Sequence, residues 1–196
     1  DPTPAGSRLE YFPISFFAMV MGLSGLTIGW EKAQHVLGWQ LGVTPWLAGS
    51  TLVIFALLAF LYSTKVLRFR AAVLAELRHP VKLNFFPAIS ISLLLLSIAF
   101  LPLHAELARG LWLAGTLLHL VLTLYVINVW MHHEHLKIQH MNPAWFIPVV
   151  GNVLVPIAGV GFGFVDLSWF FFSFGMLFWI LLLAIVFNRV LFHDPI

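Results

Sequence analysis

Long apolar runs separated by short polar or basic connections organise this chain. Six can be drawn: Phe12 to Trp30, Pro45 to Thr64, Asn84 to Leu103, Gly110 to Met131, Trp145 to Phe164 and Leu167 to Asn188. Each is long enough to cross, as a helix, a hydrocarbon core about 30 Å thick, which takes about 20 residues. No Asp, Glu, Lys or Arg lies near the middle of any run. The pattern predicts an all-α, polytopic integral membrane protein, a single transmembrane domain over residues 1–196 with six transmembrane helices joined as three helical hairpins.

The runs differ in kind. The fifth carries Pro148, Gly151, Asn152 and Pro156 where an ordinary anchor carries leucine. Proline removes a backbone hydrogen bond and kinks a helix, and lipid supplies no water to repair the loss. The fifth helix is therefore expected to face a protein interior or a pore. In the first run Ser15, Ala18, Gly22, Gly25 and Gly29 recur at spacings of 3, 4, 3 and 4, which puts all five on one helical face. Two readings of that face stand: close packing against another helix, or open volume for a permeating solute.

The odd-numbered runs share a further feature. Tyr11-Phe12-Pro13, Phe85-Phe86-Pro87 and Trp145-Phe146-Ile147-Pro148 each place aromatics ahead of a proline, while the even runs are richer in Leu, Val, Ile and Phe. The alternation predicts odd helices inside and even helices outside, repeating as hairpins about an axis along the membrane normal. Pore-lining candidates are Pro13, Phe16, Phe17, Gly22, Gly25, Pro87, Ser90, Pro148, Gly151, Asn152 and Pro156. Leucine at Gly151 or Asn152 is expected to cut flux without harming assembly, and a change at Leu182, on an outer helix, to be nearly silent.

Composition narrows the class. Hydrophobic residues make up 61% of the chain and charged residues 9%, against about 25% charged in a soluble domain, so a water-soluble fold is excluded. Without cysteine there is no disulfide or thiol chemistry. A net charge of +2 with no long basic run argues against nucleic acid. Arg8, Lys65, Arg68, Arg70, Arg78, Lys82, Lys137 and Arg189 fall on one side of the spans, and Lys32 and Arg109 on the other. By the excess of basic residues on the cytoplasmic side, both termini are expected in the cytoplasm. The stretch from Lys65 to Lys82 reads either as a solvated loop or as an amphipathic helix on the inner membrane surface.

Candidate chemistry is sparse. His119 and Asn152 are the central polar exceptions, and intramembrane polar groups are functional suspects because their burial is costly. His119 reads as a bonded packing residue, a proton-sensitive switch, or an axial ligand in a rival haem- or quinone-binding oxidoreductase subunit. A purely structural membrane subunit is a further alternative. The loop His132-His133-Glu134-His135 with His140 invites a metal but lacks the spacing of a zincin motif. With no phosphate loop and no nucleophile elbow, the sequence predicts no enzyme, no cofactor and no metal.

The stretches Tyr11-Phe12-Pro13-Ile14-Ser15-Phe16-Phe17-Ala18-Met19-Val20-Met21-Gly22 and Asn142-Pro143-Ala144-Trp145-Phe146-Ile147-Pro148-Val149-Val150-Gly151-Asn152 resemble the TehA-type family. This is the tellurite-resistance/C4-dicarboxylate transporter or voltage-dependent anion channel family, related to the slow anion channels of plant guard cells. The resemblance implies ten transmembrane helices as five hairpins in a pore ring, commonly assembled as a homo-oligomeric trimer in the inner membrane. It also implies transport of small anions such as chloride or nitrate, or of C4-dicarboxylates, through the lipid bilayer. Six helices account for three of those hairpins, so the resemblance implies a fragment or a member completed by self-association. The phenylalanine that closes the family's pore lies on the ninth helix and has no counterpart here.

Overall fold

The computed structural model describes residues 8–39, 41–132 and 142–192. These residues form helices and connecting turns, with no strand among them. The elements are α1 (Phe17–Leu37), α2 (Thr44–Arg68), α3 (Arg70–Arg78), α4 (Ala88–Phe100), α5 (Ala105–His132), α6 (Phe146–Val150), α7 (Val155–Gly159) and α8 (Val165–Phe192). Short 3-10 turns lead into α1, α4 and α6, and another, Gly151–Leu154, joins α6 to α7. Five helical stretches are long and apolar enough to cross a membrane: Ile14–Leu37, Thr44–Arg68, Lys82–Phe100, Ala105–His132 and Val165–Phe192. The protein is a multi-pass helical membrane protein.

Consecutive elements pack in pairs. α1 lies against α2, α4 against α5, and the broken α6–α7 segment against α8. Gly38, left-handed at φ 69°, ends α1, and Gly163 at φ 87° turns the chain into α8. Only glycine adopts such a backbone without strain. At the α1–α2 turn, Thr44 Oγ1 donates to Glu31 Oε2 and accepts from Gln34 Nε2 at 2.9 Å, tying the two helix ends together.

α4 sits at the centre of the fold. Two-thirds (67%) of its apolar stretch is buried within the chain, against 17–33% for the other four. It touches α1, α2, α5 and the broken segment, and its serines bond inward instead of to lipid. Ser92 Oγ donates to Ala88 O at 2.6 Å, and Ser97 Oγ to Ala108 O on α5 at 2.7 Å. A serine that bonds a carbonyl leaves no polar group bare in the apolar interior. Between α1, α2 and the start of α4, edge-on aromatics fill the core, with Phe17 5.9 Å from Phe55 and 6.1 Å from Tyr62, and Tyr62 6.2 Å from Phe86.

The basic stretch after α2 folds as the helix α3, with Val73 and Glu76 turned inward. Lys65 is 1% exposed and forms an ion pair with Glu76 at 3.0 Å. Its Nζ also donates to Phe12 O at 2.8 Å, and Tyr62 Oη donates to the other carboxylate oxygen of Glu76 at 2.9 Å. A buried pair is tolerated when further hydrogen bonds satisfy both partners, and these two are so satisfied. The network joins α2, α3 and the turn ahead of α1 into one end of the molecule.

Candidate functional site

Two features of this fold bear on transport: an uncovered small-residue face on α1, and a broken helix repaired by its neighbours. On α1, Phe17, Val20, Ser24 and Thr27 are buried against the fold. The opposite face presents Ala18, Gly22, Gly25 and Gly29, all exposed. A Cβ built on Gly22, Gly25 or Gly29 meets no atom within 4 Å. The other outward faces are bulky, with Trp46, Val53, Leu57 and Phe60 on α2 and Trp169, Phe170, Leu177 and Ile180 on α8. Bulky apolar faces suit lipid, which small ones serve poorly; small faces suit close helix approach or an open path. α1 thus exposes three glycines with open space in front of them, next to the exposed Met19 and Leu26.

The adjacent candidates Phe16 and Phe17 separate. Phe16 is 40% exposed, whereas Phe17 is 1% exposed and belongs to the aromatic core. About 100° of helical turn between neighbours sends one side chain outward and the other in. Pro13 is half-buried and Pro87 buried, both just ahead of helical turns, where a missing N–H breaks nothing.

The fifth run is one kinked helix by expectation and a string of short turns in the structure: α6, a 3-10 turn over Gly151–Leu154, then α7. Pro148 and Pro156 supply no N–H, and the tight turn frees carbonyls that a continuous helix would bond. Side chains take them up. Thr123 Oγ1 on α5 donates to Pro148 O at 2.6 Å, Trp112 Nε1 on α5 donates to Val155 O at 2.8 Å, and Asn152 Nδ2 donates to Val149 O at 2.8 Å. Asn152 is 1% exposed, and its amide turns back onto its own backbone. Trp112, Thr116, His119 and Thr123 recur at spacings of 4, 3 and 4 and are buried together, so the inward face of this even-numbered helix is a polar seam. That spacing is visible in the sequence, but the leucines around it draw attention to the opposite face.

Ser90, His119 and Gly151 meet where α4, α5 and the broken segment cross. Ser90 Oγ donates to Pro87 O at 2.8 Å and so accepts from His119 Nδ1 at 2.9 Å. The imidazole then stands against Gly151: a Cβ there would lie 2.6 Å from Ile91 Cδ1, 2.8 Å from His119 Cε1 and 2.9 Å from His119 Nε2. An axial haem ligand needs open space in front of a ring nitrogen. Here Nδ1 is bonded and Nε2 is packed against Gly151, so the haem-ligand reading of His119 does not fit. Gly151→Ala is expected to overpack this crossing and lower stability by about 1–3 kcal/mol, so the expectation that leucine at Gly151 would spare assembly is replaced by one of lost stability. Thermal unfolding in detergent checks it: Gly151→Ala should fall well below wild type, whereas Gly25→Ala, in open space, should not.

Leu182 is 4% exposed and packs with Trp145 and Val149. The expectation that a change there is nearly silent is therefore replaced by one of lost packing. Pro156 is half-buried and lines, with Val160, Ser168 and Trp169, a shallow apolar recess of about 300 Å³. Of the histidine-rich loop, residues 133–141 lie outside the described residues, while His132 Nδ1 sits 2.9 Å from Asn128 O. Among the described residues no three His, Cys, Asp or Glu side chains gather as metal ligands do.

The small-residue helix α1 and the broken segment both pack against α4, and sequence comparison supplies the lineage. The profile of the voltage-dependent anion channel family matches residues 11–196. The chain belongs to that family. An uncharacterized transporter of Methanocaldococcus jannaschii is 28% identical over 202 residues, covering 97% of this chain and 59% of its own. The S-type anion channel SLAH3 of Arabidopsis thaliana is 29% identical over 189 residues, 91% of this chain and 29% of its own. The tellurite resistance protein TehA homolog of Haemophilus influenzae is 24% identical over 171 residues, 86% of this chain and 52% of its own. The chain thus spans about three-fifths of the archaeal transporter and less of the other two. Within the anion channel family, membership extends over both the α1 face and the broken segment.

Proposed function

We propose that this chain forms part of the conduction path of a membrane anion channel or transporter, with the small face of α1 lining the path. The observation that carries the reading is the open space in front of Gly22, Gly25 and Gly29, on a chain of the voltage-dependent anion channel family. Chloride, nitrate or C4-dicarboxylates are the substrates, moved without catalysis or cofactor. A path lined by small apolar groups with few fixed charges holds anions weakly and releases them readily, which favours flux. Among the remaining candidates, Phe16 stands at the mouth. Pro148, Gly151, Asn152 and Pro156 shape the walls by fixing where the broken helix bends, and Pro13, Phe17, Pro87 and Ser90 by packing at the starts of α1 and α4.

The protein works as a homo-oligomer, a trimer by family resemblance, in the inner membrane with both ends of this chain cytoplasmic. Cysteines placed at Leu41 and Ala75, both exposed, should react with an impermeant thiol reagent from opposite faces; reaction of both from outside intact cells would overturn the orientation. The function is tested by flux from liposomes containing the purified protein. Chloride, nitrate or malate should leave much faster than from empty liposomes, with potassium retained. Potassium leakage equal to the anion flux, or no anion flux from correctly assembled protein, would contradict the reading.

A further inference from the structure

The buried residues of α8, Ser168, Phe171, Gly175, Leu182 and Arg189, follow one another at spacings of 3, 4, 7 and 7, a single face of the helix. That face runs along the broken segment. A Cβ on Gly175 would meet Val153 Cγ1 at 2.7 Å and Asn152 Cβ at 3.3 Å, and Leu182 packs with Trp145 and Val149. Seven residues further, about 10 Å along the helix, the same line reaches Arg189, which is 6% exposed.

Among the described residues Arg189 has no countercharge. Its Nη1 is buried without a hydrogen-bond partner, and the one ion pair joins Lys65 to Glu76. Trp130, in the last turn of α5, is in the same state: its Nε1 is buried with no acceptor, while its ring stacks on Trp145 at 4.5 Å in the cluster that holds Leu182. A buried cation left unpaired is strongly destabilising, and so is a buried N–H without an acceptor. A ligand that satisfies both brings negative charge and acceptor atoms, and no donors of its own.

We infer that Arg189 and Trp130 form a binding site for a small planar oxyanion, nitrate or a carboxylate, where α5 and α8 end beside the start of the broken segment. A guanidinium presents parallel N–H groups that match two oxygens of such an anion, and chloride has no second atom to engage that fork. That the bound anion is also a transported one rests on the function proposed above; its binding does not.

The test is thermal unfolding of the protein in neutral detergent and potassium methanesulfonate, with nitrate, formate or chloride exchanged in at constant ionic strength. Wild type should gain about 3 °C at saturating nitrate or formate and less with chloride, because a ligand that binds only the folded state raises its melting temperature. Arg189→Met should melt no lower than wild type in methanesulfonate, having lost an uncompensated charge, and should not respond to nitrate. Arg189→Lys, which keeps the charge and loses the fork, should respond to nitrate and chloride alike. Trp130→Phe, which keeps a ring and loses the N–H, should need about tenfold more nitrate. No nitrate response in wild type, an equal response in Arg189→Met, or an unchanged one in Trp130→Phe would each overturn the site. So would a fall of the Arg189→Met melting temperature in methanesulfonate that Glu134→Gln or Asp194→Asn reverses, since Arg189 would then be paired with a carboxylate of the chain itself; both acids lie outside the described residues. Should Arg189→Met fail to fold, Arg189→Lys decides: a retained preference for nitrate over chloride would rule the site out. Nitrate binding without anion flux from liposomes would leave this site standing and count against the transport reading, and flux without a nitrate response would do the reverse.

Discussion

Replacing Lys65 by methionine is expected to lower the protein's stability by about 3–5 kcal/mol, the cost of stranding one partner of a buried ion pair. Glu76 is 6% exposed and would keep only the Tyr62 hydroxyl, at 2.9 Å. Phe12 O would lose the donor that holds the turn before α1 at 2.8 Å. Lys65→Met with Glu76→Leu should recover much of the loss, because apolar replacement of a whole buried pair is often neutral or better. Thermal unfolding in detergent provides the measurement. A loss under about 1 kcal/mol for the single variant would place the pair in the class of exposed salt bridges and remove α3 as an anchor of α1.

The second large effect concerns flux. Gly22→Phe should slow anion passage by about tenfold, because a constriction adding about 1.4 kcal/mol to the barrier does so. Folding should be little affected, since a Cβ at Gly22 meets nothing within 4 Å. Val53→Phe, at an exposed position on the bulky face of α2, should leave flux near wild type. Equal loss from the two variants would mean that the α1 face has no special role. Loss of folding in Gly22→Phe would assign the stripe to close packing against another helix, the rival reading open since the sequence.

The helical membrane class was legible because apolar runs of this length, free of central charge, have few other solutions in lipid. The break in the fifth run was legible too, since Pro148, Gly151 and Pro156 each oppose a continuous helix. Its repair was not. Trp112 and Thr123 sit among leucines on a helix read as greasy, and a residue that bonds a distant carbonyl carries no local signature of doing so. Asn152 stood out as the polar oddity of its run, yet its amide bonds Val149 O three residues back; polarity marked it without giving its direction. Leu182 shows the converse, an ordinary leucine whose packing on Trp145 and Val149 depends on how α8 rotates against a broken partner. The spacing put Gly22 and Gly25 on one face of α1, and that face is exposed among the described residues.

The most direct test of the account is the accessibility of that side. These 196 residues contain no cysteine, so a single cysteine at Gly25, with any others in the protein replaced, reports cleanly. In liposomes, Gly25→Cys should react with a charged, membrane-impermeant methanethiosulfonate and lose anion flux as it does, while Val53→Cys should stay unreactive and conducting. A conducting Gly25→Cys protein that resists the reagent, while Val53→Cys reacts, would contradict the placement of the aqueous path along α1.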